Sequence, residues 1–84
     1  MVDNRLSNKW VESSGKLKLS LELNNFSECI DLIDKIAGLA EKQNHHPNMH
    51  VTDYKKITIE VYTHSEDKIT EKDYSSAHEI DKLL

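Results

Sequence analysis

The clearest periodicity lies near the start of the chain. Leu17, Leu19, Leu21 and Leu23 alternate with Lys18, Ser20 and Glu22. A strict period of two gives one dry face and one wet face, so the spacing predicts a strand over 17–23. A second alternation predicts a strand from Tyr54 to Thr63, with Ile57, Ile59 and Val61 on one face and Thr58, Glu60 and Tyr62 on the other. Trp10 and Val11 start a shorter strand. The turn Glu12-Ser13-Ser14-Gly15 joins it to the leucine strand, with Gly15 at the positive-φ position. Asn48 to Val51 forms a short extended piece.

Between these strands the period changes to three and four. Phe26, Cys29, Ile30, Ile33, Ile36, Ala37 and Ala40 predict an apolar stripe on a helix over 26–43. Asn25, with Glu28 three residues on, resembles a capping box with Asn in place of Ser or Thr. Gly38 inside the helix is read as a close-packing position against the sheet. Pro47 forbids the helix from continuing through His46. Thr70, followed by Asp73, opens a second helix that runs to the chain end, with Tyr74, Ala77, Ile80 and Leu84 along one side. The order is strand, strand, helix, strand, strand, helix. The simplest packing is an α+β two-layer sandwich, a four-stranded antiparallel sheet with both helices on one face.

Composition narrows the class. Eighty-four residues, 37% of them apolar and 31% charged, make one ordinary folded domain over 1–84. Its small core makes self-association a reasonable expectation. A net charge of −4 argues against direct nucleic-acid binding, which needs a basic face. No apolar run approaches the length of a membrane span, and Met1 to Lys9 reads as a loose polar arm without the apolar core of a signal peptide. Cys29 has no partner for an internal disulfide. A reducing, cytoplasmic setting is expected.

The candidate chemistry lies in the histidines. Three of the five fall in two places, His45-His46 before Pro47 and His64 after the second strand. His50 and His78 read as incidental surface residues. Three readings fit His45 and His46. They can cap helix carbonyls, where a cationic imidazole is favoured by the helix dipole. They can ligate a metal, since His46 and His50 are four apart, but Pro47 breaks the helix such a pair needs and no His-Glu-x-x-His motif is present. Or they can transfer protons, as histidine alone does with an unperturbed pKa near neutrality. Glu41, one turn upstream of His45, is placed to orient an imidazole. No Gly-rich phosphate loop and no Gly-x-Ser-x-Gly elbow is present, and Cys29 sits on the apolar stripe. That favours proton transfer on a small ligand over covalent chemistry.

The run Glu41-x-x-x-His45-His46-Pro47, an aromatic at Tyr54, His64 and then Asp73 resembles the pterin-4a-carbinolamine dehydratases, also called dimerisation cofactors of a hepatocyte nuclear factor. The likeness spans about residues 10–84 and includes Leu39-Ala40-Glu41, Thr63-His64, Thr70-Glu71-Lys72-Asp73 and the opening from Trp10 to Leu17. Six residues separate Pro47 from Tyr54 where five are commoner, and the loop Ser65–Lys68 lacks the usual Gly-Gly. The vertebrate proteins' N-terminal helix has no counterpart here. The resemblance implies dehydration of 4a-hydroxytetrahydrobiopterin to quinonoid dihydropterin in cofactor recycling, with no metal or organic cofactor. It implies His45, His46 and His64 as the catalytic histidines. Glu41, Pro47, Thr63 and Asp73 would bind or support the substrate, with Trp10 either a wall for the pterin or a core residue. It also implies a homodimer or homotetramer, and as an alternative role a non-catalytic module that binds a transcription factor.

Overall fold

The computed structural model describes residues 10–63 and 65–84; the arm expected over 1–9, and His64, lie outside the described residues. Strand β1 (Trp10–Ser13) turns back into β2 (Lys16–Glu22). Ser14 and Gly15 both take left-handed φ, 54° and 75°, and Ser13 pairs with Lys16. This is a two-residue hairpin whose twist matches that of its strands. Helix α1 (Phe26–Gln43) has the predicted bounds. The Asn25 side chain accepts from Glu28 N–H at 2.9 Å. The Glu28 carboxylate reaches Asn24, not Asn25, accepting from its backbone N–H at 2.9 Å and its side-chain amide at 3.3 Å. The capping box therefore closes one residue early.

Strand β3 (Asn48–Thr52) leads through Asp53-Tyr54-Lys55 into β4 (Lys56–Val61). The alternation starting at Tyr54 overestimates this strand, because Asp53 and Tyr54 take φ of 49° and 53° and form the turn itself. At the other end, Thr63 makes only an isolated bridge with Lys68. Helix α2 (Glu71–Asp81) carries the predicted capping box but stops short of the chain end. Leu84 is accordingly exposed, and Leu83 packs against the core in its place.

The four strands are all antiparallel in the order β1-β2-β4-β3. Trp10, Leu17, Leu19, Ile57, Ile59 and Val61 form one dry face. Both helices cover it through Cys29, Leu32, Ile36, Ala77 and Ile80. Each fully buried leucine or isoleucine here contributes about 1.5–3 kcal/mol by leaving water. The apolar stripe of α1 is displaced from the predicted one. Leu32 is buried, whereas Phe26 and Ile30 are 53% and 43% exposed and Ala37 also faces solvent. Gly38 is exposed, with open space where a Cβ would stand, so it packs against nothing in this chain.

The other sheet face is polar. Its centre is Glu60, whose carboxylate lies 3.4 Å from Lys18 Nζ, 3.8 Å from Lys16 Nζ and 3.5 Å from His50 Nε2. Desolvation pulls the Glu60 carboxyl upward, but Lys18, Lys16, Asn48 and His50 together hold it below its ordinary value.

Candidate active site

Helix α1 ends because Asn44 enters the left-handed region, with φ 53° and ψ 41°, and donates its backbone N–H to the Ala40 carbonyl. His45 N–H also reaches Ala40 O, at 3.1 Å. His45, His46 and Pro47 then run as non-helical backbone into β3. The helix stops two residues short of the residue that Pro47 bars from helical geometry. The pair therefore sits where the last turn of α1 meets the start of α2 and the exit of β4.

Each imidazole is held by a different carboxylate. His45 is largely buried, and its Nε2 lies 2.6 Å from Asp73 Oδ1 on α2, a side chain with no exposed surface. His46 is exposed, and its Nε2 lies against Glu41 Oε2 on the last turn of α1. The imidazole that Glu41 contacts is that of His46. A carboxylate accepts hydrogen bonds and cannot donate while ionised, so Nε2 of each ring carries a proton. Nδ1 is then the atom left to meet a ligand.

Behind His45 the polar atoms are fully engaged. Thr63, 3% exposed, donates its hydroxyl to Asp73 Oδ2 at 2.9 Å. Thr70 N–H donates to the same oxygen at 2.8 Å, closing the capping box of α2. The Thr63 and Thr70 hydroxyls are 2.6 Å apart. Thr63 and Asp73 are therefore turned towards His45 and α2, in a supporting arrangement. Pro47 is half-buried between His46 and β3. Trp10 is in the core at 2% exposure, with its indole N–H given to Asp81 Oδ1 at 2.8 Å. That bond ties β1 to the last turn of α2. Tyr54 stands at the far end of β3, roughly 15 Å of strand away from the histidines. His50 lies on the polar sheet face, and Cys29 is buried. Among the described residues no three His, Cys, Asp or Glu side chains converge as a metal site requires.

Beside His45 the surface opens into a depression of about 520 Å³, lined also by Gln43, Asn44, Glu71, Lys72 and Ser75. Its size lies within the range of small-ligand sites, about 300 to 1,000 Å³. The α2 side of it was not legible as a site from spacing. Only the Thr70–Asp73 capping box marked where α2 would begin.

The family model for pterin 4 alpha carbinolamine dehydratase matches residues 1–83. The chain belongs to this family. A provisionally named pterin-4-alpha-carbinolamine dehydratase of Sulfolobus acidocaldarius is 36% identical over 74 residues, covering 88% of this chain and 80% of the relative. One from Mycolicibacterium smegmatis is 34% identical over 85 residues, covering 99% of this chain and 89% of the relative. A transcriptional coactivator/pterin dehydratase from Brucella melitensis superposes with a TM-score of 0.81 at 27% identity, over 90% of this chain and 82% of that one. A pterin dehydratase-like RuBisCO assembly factor of the alpha-carboxysome superposes at 0.71 with 17% identity, over 99% of this chain and 95% of that one, and shares the fold.

Proposed function

We propose that this member of the family is a hydro-lyase that converts 4a-hydroxytetrahydrobiopterin to quinonoid dihydropterin and water, within tetrahydrobiopterin recycling in the cytoplasm. The C4a–O bond breaks, and hydroxide needs a proton to leave as water. The N5–H bond gives up its proton, and its electron pair forms the C4a–N5 double bond. One group must donate and one must accept, with no net change in protons. Histidine serves both ends near neutral pH, and neither step requires a metal or an organic cofactor. His45, His46 and His64 are the groups assigned to these transfers, with Glu41, Asp73, Thr63 and Pro47 supporting them.

The observation that carries the reading is the double brace. Two adjacent imidazoles are each tied through Nε2 to a separate carboxylate, an arrangement that supports Nδ1 as the proton-transferring atom of each ring. The test is the dehydration rate of chemically generated 4a-hydroxytetrahydropterin, with and without the protein and with EDTA present. Acceleration that survives chelation and is lost in His46→Ala supports the reading. An unaccelerated rate, or full turnover by His46→Ala, overturns it.

A second reading is favoured by the apolar strip on the solvent side of α1. Phe26, Ile30 and Ala37 are exposed there, and scattered apolar residues are ordinary but a strip along one helix face suits a protein contact. In this reading the strip pairs copies into a dimer or tetramer, or seats a transcription factor. His46→Ala separates it from catalysis, because it leaves the strip intact.

A further inference from the structure

The hydroxyls behind His45 have a direction that can be worked out by counting protons. Thr63 owns one hydroxyl proton, and the Asp73 carboxylate can only accept. At 2.9 Å that proton belongs to the bond from Thr63 to Asp73 Oδ2. Thr63 must then be the acceptor in its 2.6 Å contact with Thr70, and Thr70 the donor. Thr70 in turn accepts from Lys72 N–H at 3.3 Å. The chain of bonds runs one way, from Lys72 N–H to Thr70, to Thr63, to Asp73 Oδ2.

This direction matters for the other oxygen. The terminal torsion of an aspartate is soft and roughly two-fold, so the carboxylate plane must be pinned by its partners. Oδ2 receives two donors, the Thr63 hydroxyl and Thr70 N–H, while among the described residues Oδ1 is left to His45 Nε2. A lone hydroxyl rotates to suit its surroundings. With the Thr70 proton occupying its oxygen, that of Thr63 is aimed at Asp73 and nowhere else. We infer that Thr70 and Thr63 are positioning residues for His45. They pin the Asp73 carboxylate so that Oδ1 holds the imidazole as its Nε2–H tautomer, with Nδ1 turned to the ligand.

Thr63 directly precedes His64 in sequence. The catalytic consequence rests on the proposed dehydratase reading; the tautomer does not. Partners that orient metal-bound imidazoles through the second nitrogen change metal affinity or activity by about 10–100-fold when removed, and a loss of that order is expected here.

The test uses the full chain labelled with ¹⁵N and reads the imidazole nitrogens and the Nε2–H proton of His45 by NMR, alongside kcat and KM. The wild-type protein should show His45 as the Nε2–H tautomer, with that proton protected from exchange. Thr63→Val keeps the shape and both capping bonds of α2 but removes the aimed hydroxyl. It should lose the protected proton and lower kcat about 10-fold or more, with KM moving far less. Thr63→Ser should restore both. A Thr63→Val protein that retains the tautomer and the protected proton overturns the inference. If Thr63→Val does not fold, Thr70→Val with Thr70→Ser as its rescue poses the same question from one bond further out. If the wild-type chain proves to have no dehydratase activity, the NMR comparison still decides the inference while the functional reading falls separately.

Discussion

His45 and Asp73 are separated by 28 residues in the chain and by 2.6 Å in the fold. The same aspartate that closes the capping box of α2 holds the imidazole at the end of α1. One carboxylate thus starts a helix and orients a site residue. Asp73→Asn should disturb both roles. An asparagine can turn its oxygen either to His45 or to Thr63 and Thr70, and its NH2 then faces the other side, which already donates. By comparison with serine-protease triads, in which the same change stabilises the wrong tautomer, kcat should fall by about 10³–10⁴-fold. Leaving buried donors unpaired should also cost about 1–3 kcal/mol of stability. Steady-state kinetics together with a urea titration checks both, and near-normal turnover would refute the orienting role.

Glu41 makes a contrasting case. Its pair with His46 is exposed on both sides, the two side chains keeping 77% and 55% of their surface open. Exposed ion pairs contribute at most about 1 kcal/mol, and solvent competes for both groups. Glu41→Gln should therefore lower kcat by no more than about fivefold and barely change the unfolding midpoint. A loss as large as that of Asp73→Asn would mean that ligand binding buries the pair.

The polar face of the sheet predicts a pH dependence of stability. Despite desolvation, the charges and hydrogen bonds of Lys18, Lys16, Asn48 and His50 hold folded Glu60 below its ordinary value of 4.5. The unfolded chain therefore binds this proton first as pH falls. The stability Glu60 contributes is fully present above about 4.5 and disappears as pH drops through the lower, folded value. Glu60→Gln should be less stable than wild type at pH 7 by about 0.5–1 kcal/mol. The difference should shrink towards zero in urea titrations at pH 3. A gap that persists unchanged in acid would assign the loss to packing rather than charge.

What could be read along the chain was local. The limits of α1 were legible because Asn25 and Pro47 mark them within a few residues of the helix itself. The hairpin at Ser14-Gly15 and the α2 capping box were legible for the same reason. The buried face of α1 was not. Phe26 and Ile30 are as apolar as Leu32, and only the position of the sheet decides which stripe it covers. Strand β4 was drawn too long because Tyr54 has a strand-forming side chain, yet it occupies a left-handed turn position. At the site, the histidines were visible as residue types, and the family motif grouped Glu41 and Asp73 with them. Which carboxylate meets which ring depends on how α2 lies across the end of α1, a contact with no trace in spacing.

The displaced stripe leads to the last prediction. Leu32, Ile36 and Ile59 are buried in the core, so truncating them should unfold the domain in part or whole. Ile59→Ala should cost about 2–5 kcal/mol, a large share of the roughly 4–13 kcal/mol expected for a chain of this length. Phe26 and Ile30 are exposed in the single chain, so Phe26→Ser with Ile30→Ser should leave the monomer's fold intact by circular dichroism. If the strip pairs copies of the chain, the wild-type protein will sediment as a dimer or tetramer and the double variant as a smaller species. Gly38 would then have a reason to be where it is, since the open space above it would admit a close neighbour. Placing a side chain there with Gly38→Leu should weaken the same association. Sedimentation at one size for all three proteins would leave the strip without this role and would tell against self-association through α1.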